Sequence, residues 1–174
     1  MAIIAADIEW RQGLPYSPLF KEFYFPPSTD MDESESVFLQ QSELKQRWQS
    51  LGKNFHSFTI AETGFGAGLN FLSCSDVWLN IAPKSSVLEF FSAELFPIDK
   101  AELAKILSQR PHFRNLSDEL IKHYPVPVAG IHSIELFQGR VRLHLMFGDA
   151  NEMFSSISQS PHQEQAHYNS RPVD

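Results

Sequence analysis

The sequence predicts an α/β fold, a parallel sheet with helices packed on its faces, and three observations predict it. A short β-rich run, Phe58-Thr59-Ile60-Ala61, leads through a glycine loop into an apolar helical pattern that ends at Pro83. A second aromatic run, Val87 to Ala93, closes on Glu94 and is followed by a helical pattern opening at Asp99. Strands that alternate with helices favour parallel pairing, because the return to the same end of a sheet takes about a helix's length of chain. The third observation is a pair of alternating runs, Ile134 and Leu136 on one side of Gln138-Gly139 and Val141, Leu143, Leu145 and Phe147 on the other. Alternation with period two on both sides of a turn is the pattern of a hairpin.

Taken in order, the elements begin with an aromatic, Pro-rich and acidic stretch from Asp7 to Trp48. It reads as short strands and turns: Phe23-Tyr24-Phe25 is stopped by Pro26-Pro27, and the acidic run Asp30 to Glu35 reads as a solvated loop. Val37-Phe38-Leu39 is a second short apolar run, and Ser42 to Trp48 is long enough for a turn or two of helix. The aromatics here can cover a cofactor or receive a nucleobase, but core packing is the first expectation. After the glycine loop, Leu69, Phe71, Leu72, Cys74, Trp78, Leu79 and Ala82 recur at three- and four-residue spacing, the stripe of an amphipathic helix. Asp99 with Glu102 three residues on is a capping-box pattern for a helix through Leu103, Ile106 and Leu107. A further helix is expected near Leu116 to Tyr124, ended by Pro125 and Pro127; beyond Phe154 the pattern fails, and no further helix or strand is predicted.

This divides the chain into an N-terminal aromatic, β-rich extension (1–57), an α/β core (58–154) and a polar tail (155–174). Two or three parallel strands are few for a sheet buried on both faces. The ligand crevice of an open α/β sheet also draws on strands from both of its halves. The expectation is therefore the N-terminal half of a larger domain, with an unpaired edge beside Phe58 to Ala61.

Composition narrows the function classes. A 174-residue chain that is 43% hydrophobic can remove roughly 70% of its unfolded surface from water without staples. Cys74 is alone, so no internal disulfide is available, and it reads as a small buried apolar residue of the core helix. Twenty-one acids against fourteen bases leave a formal charge of −7, which repels phosphate and argues against a stand-alone nucleic-acid binder. The apolar start, Met1 to Ala6, stops at Asp7, too short for a signal peptide or a membrane span, so a cytoplasmic protein without membrane contact is expected. The seven His show no metal-ligand spacing with the single Cys, and there is no Gly-x-Ser-x-Gly elbow, so neither a metal centre nor a serine hydrolase is expected.

The strongest local signal is Glu62-x-Gly64-x-Gly66-x-Gly68, placed between strand and helix. Glycines there let a ligand approach the backbone, and the helix start presents free N–H groups. A dinucleotide fingerprint would need its third glycine at position 69, which is Leu, and a P-loop would need Lys after Gly68. An acid two residues ahead of the loop repels a diphosphate but suits a cationic ligand, and the arrangement resembles the first motif of class I S-adenosylmethionine-dependent methyltransferases. Glu94, at the end of the next strand, can accept hydrogen bonds from both hydroxyls of a ribose, a role shared by nicotinamide and adenosylmethionine sites. Asp149 closes the third long strand. A nicotinamide or flavin oxidoreductase on the same strand, loop and helix stays open as an alternative, as does a binding fragment without turnover.

Longer strings carry a more specific likeness. Glu62-Thr63-Gly64-Phe65-Gly66-Ala67-Gly68-Leu69-Asn70-Phe71-Leu72, Phe96-Pro97 after Glu94, and Phe147-Gly148-Asp149-Ala150-Asn151-Glu152 together resemble the methyltransferase domain of the bifunctional tRNA 5-methylaminomethyl-2-thiouridine biosynthesis (MnmC) family. The likeness extends to Phe23-Tyr24-Phe25, Val37-Phe38-Leu39 and Leu44 to Trp48. It implies a Rossmann-like class I methyltransferase fold. The implied activity is transfer of a methyl group from S-adenosyl-L-methionine to the amine of 5-aminomethyl-2-thiouridine at the tRNA wobble position. It also implies an FAD-dependent oxidoreductase partner, fused or separate, with FAD confined to that partner. For the site it implies Gly64, Phe65, Gly66 and Gly68 at the cofactor's amino-acid end, Glu62 near the loop and sulfonium, Glu94 on the ribose and Asp149 on the adenine. Asn70 and Ala150 complete the cofactor-binding set. Two departures stand out: Leu95 occupies the family's usual Lys position, and Ser42 a common Asn position. The family's Asp-Gly-Phe-Ala-Pro-like motif has no counterpart before Arg171-Pro172-Val173-Asp174. No catalytic residue is therefore assigned, and the chain is expected to be an incomplete domain.

Overall fold

A computed structural model describes residues 3–25 and 43–158. Val37-Phe38-Leu39, the acidic run, Ser42 and residues 159–174 lie outside the described residues. The chain opens with a small antiparallel meander of β1 (Glu9–Arg11), β2 (Leu14–Ser17) and β3 (Glu22–Phe23). Helix α1 (Leu44–Gln49) follows, and then the α/β core begins: β4 (Ser57–Thr63), α2 (Leu69–Ile81), β5 (Val87–Glu94), α3 (Lys100–Leu107) and α4 (Arg114–His123). The hairpin β6 (Gly130–Leu136) and β7 (Val141–Phe147) comes next, and α5 (Ala150–Ser158) ends the described chain.

The large sheet has the order β4-β5-β7-β6. Strand β5 pairs in parallel with both β4 and β7, and β6 pairs antiparallel with β7. This is the α/β arrangement expected from the strand–helix alternation, and it agrees with the Rossmann-like fold that the resemblance implies, with β4 at one edge. The antiparallel edge strand β6 is supplied by the hairpin.

Alternation decides the two faces of the sheet. Ile60, Leu88, Phe90, Leu143, Leu145, Ile134 and Leu136 are buried on one face and join the core formed with Phe71, Leu72, Leu103, Ile106 and Leu120 of the helices. On the other face the register brings Glu89 beside Arg142 and Ser133 beside His144. There Arg142 Nη1 donates to Glu89 Oε1 at 3.0 Å, and Nε2 of His144 lies 2.9 Å from Glu89 Oε2. Helix α5 packs against β5 and β7.

Two long-range contacts explain details that local sequence does not carry. The β6–β7 turn aims Arg140 at the C-terminal end of α2, where its guanidinium donates to the carbonyls of Leu79 at 3.0 Å and Ala82 at 3.2 Å. A cation on otherwise unpaired helix-end carbonyls both satisfies them and complements the helix dipole. Behind it, Trp78 meets Trp48 edge to face at 5.3 Å, which fixes the short helix α1 on α2; such aromatic pairs add about 0.5–1.5 kcal/mol beyond their buried area.

Three sequence expectations are corrected. Helix α3 does start after Asp99, but the Asp99 side chain makes no capping hydrogen bond. The Glu102 carboxylate instead accepts the indole N–H of Trp10 at 3.0 Å, and Lys105 Nζ sits 3.9 Å from that ring's centroid. A tertiary partner has taken the oxygen that a capping box would have used locally, and so ties the meander to α3. The second correction is at α5, which continues through Ser158 where no helix was predicted. Asp149 makes it possible: its Oδ1 accepts the backbone N–H groups of Asn151 at 2.9 Å and Glu152 at 3.3 Å, an N-cap that compensates for a polar sequence. Third, the Phe23-Tyr24-Phe25 run is strand only as far as Phe23.

Candidate cofactor site

The glycine loop follows β4 and is held from two sides. The Gly64 N–H donates to Ala93 O at 2.7 Å, extending the parallel ladder by one bond, and the Gly66 N–H donates to Glu94 Oε2 at 2.8 Å. The other oxygen of Glu94 accepts the Phe96 N–H at 2.8 Å. Each carboxylate oxygen therefore accepts one backbone hydrogen bond and keeps capacity for a second. Glu94 is both the strut that sets the loop's height above β5 and an acceptor pair with room for two hydroxyls.

Gly68 ends the loop in the left-handed region at φ 75°, and α2 begins at the next residue. A Cβ at Gly68 would lie 2.7 Å from the Phe65 ring, so close approach as well as backbone angle demands glycine. The reason is that Phe65 points inward. It is buried, with its ring 6.2 Å from Phe71 and 6.3 Å from Tyr124.

A cavity of about 320 Å³ opens between the loop and the meander, lined by Gly64, Gly66, Glu94, Ser17, Phe20, Tyr24 and Phe96, among others. Tyr24 closes over the loop: a Cβ placed on Gly66 would come within 4.0 Å of the Tyr24 ring. Burial pushes the Tyr24 hydroxyl above its ordinary pKa, and the charge of Glu94 adds to the effect. The structure thus brings Gly64, Gly66 and Glu94 together, with Phe65 and Gly68 supporting the loop from beneath.

Glu62 and Asn70 face another opening. With Ala61, Thr63 and Phe154 they line a broad depression at the β4 edge. Asn70 Nδ2 donates to Glu62 Oε2 at 3.1 Å, and the Ser92 hydroxyl donates to Glu62 Oε1 at 2.9 Å. Burial pushes the Glu62 carboxyl up to about 7; the bonds from Asn70 and Ser92 oppose the rise, and the nearby Glu94 charge adds to it. Cys74 lies on the same side, its thiol held well above its usual pKa by burial and by Glu62, which makes it an inert core residue rather than a nucleophile. Asp149 and Ala150 line neither cavity. The Asp149 side chain is engaged at the start of α5, as described above.

Ser17, Phe20, Tyr24 and Phe96 were not among the expected site residues, although covering a cofactor was the second expectation for the N-terminal aromatics. The expectation that the N-terminal aromatics pack in the core holds for Phe25 and Trp48, 1% and 0% exposed, but Phe20 is 59% exposed at the cavity mouth. The available signal was Phe96, two residues beyond Glu94 and edge to face with Phe20 at 6.0 Å. Among the described residues no group of His, Cys, Asp and Glu can hold a metal ion, and no helix is long and apolar enough to cross a membrane.

No family model matches the chain. It is 39% identical over 156 residues to the tRNA 5-methylaminomethyl-2-thiouridine biosynthesis bifunctional protein MnmC of Legionella pneumophila (strain Lens), an alignment covering 89% of this chain and 23% of that protein. The MnmC protein of Idiomarina loihiensis is 44% identical over 143 residues, 82% of this chain and 23% of the relative. The matched region is the N-terminal part of these proteins, so the chain spans about a quarter of the length of the curated relatives it matches. In three dimensions the chain is similar to the crystal structure of MNMC2 from Aquifex aeolicus, with a TM-score of 0.56 and 18% sequence identity over 91% of this chain and 46% of that one. At that identity the likeness supports the fold.

Proposed function

We propose that this chain is the cofactor-binding part of an S-adenosyl-L-methionine-dependent tRNA methyltransferase, acting on the primary amine of 5-aminomethyl-2-thiouridine at the wobble position. The observation that carries the reading is the hydrogen bond from the Gly66 N–H to the Glu94 carboxylate in the lining of a cavity roofed by Tyr24. Residues 58–154 would form the cofactor-binding core, with residues 1–57 as its covering extension, in a cytoplasmic protein. The names and the 39–44% identities of the MnmC relatives support the choice of substrate. An FAD-dependent oxidoreductase, fused or separate, would act on the same modification.

The residues present fit such a cofactor. Glu94 has unused acceptor capacity on both oxygens for a ribose diol, and the Gly64–Gly66 backbone is open to an amino-acid end. The Glu94 carboxylate, bonded to the loop at Gly66, favours a cationic ligand and opposes a diphosphate. When bound, S-adenosylmethionine supplies an electrophilic methyl group. Transfer needs the acceptor amine to give up its proton and lie in line with that methyl group, and positioning alone can supply much of the rate. Tyr24, close over the loop at Gly66, would shield the reacting atoms there from water.

Isothermal titration calorimetry with S-adenosylhomocysteine and, separately, NADH tests the reading. Saturable binding of S-adenosylhomocysteine with NADH silent is the expected result. Tight binding of NADH with S-adenosylhomocysteine silent would replace the methyltransferase with a nicotinamide oxidoreductase.

A further inference from the structure

A second cavity, of about 390 Å³, adjoins the first on the side of the meander. Ser17, Phe20, Tyr24 and Phe96 line both cavities, so the two share one aromatic wall. Its other lining is largely apolar, including Ile4, Ala6, Pro18 and Leu19, with the exposed carboxylate of Asp7 as its charged member. Ile4, Leu19 and Phe20 are exposed large apolar side chains at 69%, 59% and 59%, gathered at one mouth. Scattered exposed apolar residues need no explanation, but a cluster around a concave site marks a binding surface.

We propose that this second cavity receives the acceptor nucleobase, extruded from its strand, with Phe20 and Phe96 against its faces or edges and Asp7 toward its aminomethyl group. The proposal rests on the methyltransferase reading and deepens it. Three features select this occupant. The cavity shares four lining residues with the cofactor cavity, which puts the two ligands side by side. Aromatic walls with few polar groups suit a planar heterocycle, because every base has a π-face to stack. One carboxylate and no base among the lining residues suits a ligand carrying an amine rather than a phosphate, and an enzyme working on a base in a folded nucleic acid has to take it out of the stack.

The test is a pair of titrations on the full chain: S-adenosylhomocysteine alone, then the nucleoside 5-aminomethyl-2-thiouridine with S-adenosylhomocysteine saturating. Phe20→Ala is expected to weaken the nucleoside about tenfold or more, in line with the loss of one stacking platform, and S-adenosylhomocysteine by a much smaller factor. Phe20→Tyr should restore nucleoside binding. Asp7→Asn should weaken the aminomethyl nucleoside about threefold, as an exposed ion pair does, and leave uridine, which lacks the amine, unaffected. Nucleoside affinity unchanged in Phe20→Ala would overturn the proposal, as would equal losses for the two ligands, which would make Phe20 a cofactor cover only. If the unaltered chain binds S-adenosylhomocysteine but not the nucleoside, the proposal fails alone. If it binds neither, the methyltransferase reading fails as well. Both substituted side chains are exposed, so the variants keep the core intact.

Discussion

Gly68→Ala is expected to destabilise the protein by about 2–4 kcal/mol and to weaken S-adenosylhomocysteine binding at least tenfold. Two costs combine. A left-handed backbone at φ 75° charges an L-residue roughly 1–2 kcal/mol. The new methyl group would also stand 2.7 Å from Phe65 Cζ, and overpacking a filled interior costs typically about 1–3 kcal/mol. Phe65 has nowhere easy to go, since it is wedged between Phe71 and Tyr124. Relief must come from the loop itself, which shifts Gly64 and Gly66 away from Glu94 and so carries the damage into binding. Gly13→Ala isolates the backbone term: its φ is 80°, yet an added Cβ meets nothing within 4 Å. That variant should lose only about 1 kcal/mol and bind normally. Chemical denaturation of both variants, followed by titration, checks the comparison. Equal stability losses would show that the Phe65 contact does not matter.

Glu62→Gln should act in the opposite direction, stabilising the protein in a pH-dependent way. Burial raises the Glu62 carboxyl to about 7 in the folded chain, from an ordinary value of 4.5. The folded state thus holds the proton more tightly than the unfolded state. The associated stability is fully present below about pH 4.5, declines as pH rises, and is lost once pH passes 7. Gln cannot ionise, so the variant escapes the decline. Its advantage should be near zero at pH 4.5 and should grow to about 2 kcal/mol at pH 8, below the full linkage value because the side chain is only partly buried. Denaturation midpoints measured across that range check it. A flat difference between the two proteins would mean that Glu62 titrates normally.

The parts of the fold legible in the sequence are those with local causes. Strand β5 ends on Glu94 and α2 runs from the loop to the turn before Pro83 because period and punctuation lie within a few residues of each other. The glycine loop was legible for the same reason: Gly64, Gly66 and Gly68 each sit at positive φ. What was not legible depends on partners far along the chain. Trp10 meets Glu102 across 92 residues, and no local pattern could reveal that Glu102 serves the meander instead of its own helix end. The roof of the site depends on distant partners in the same way, since contacts such as Trp10 to Glu102, Ala6 N–H to Pro97 O and Gln109 to Gly13 O hold the N-terminal segment over the loop. Asp149 illustrates the converse. Its place after β7 suggested a ligand contact, while one of its oxygens is occupied in starting α5.

We propose an adenosylmethionine-type site, built on Glu94, in the cavity between the glycine loop and the meander. A crystal structure of the chain with S-adenosylhomocysteine tests this most directly. The ribose hydroxyls should donate to the Glu94 carboxylate, and the amino-acid end should lie over Gly64 and Gly66 beneath Tyr24. A ligand seated away from Glu94, or a crystal soaked at saturating concentration with nothing in this cavity, would contradict it.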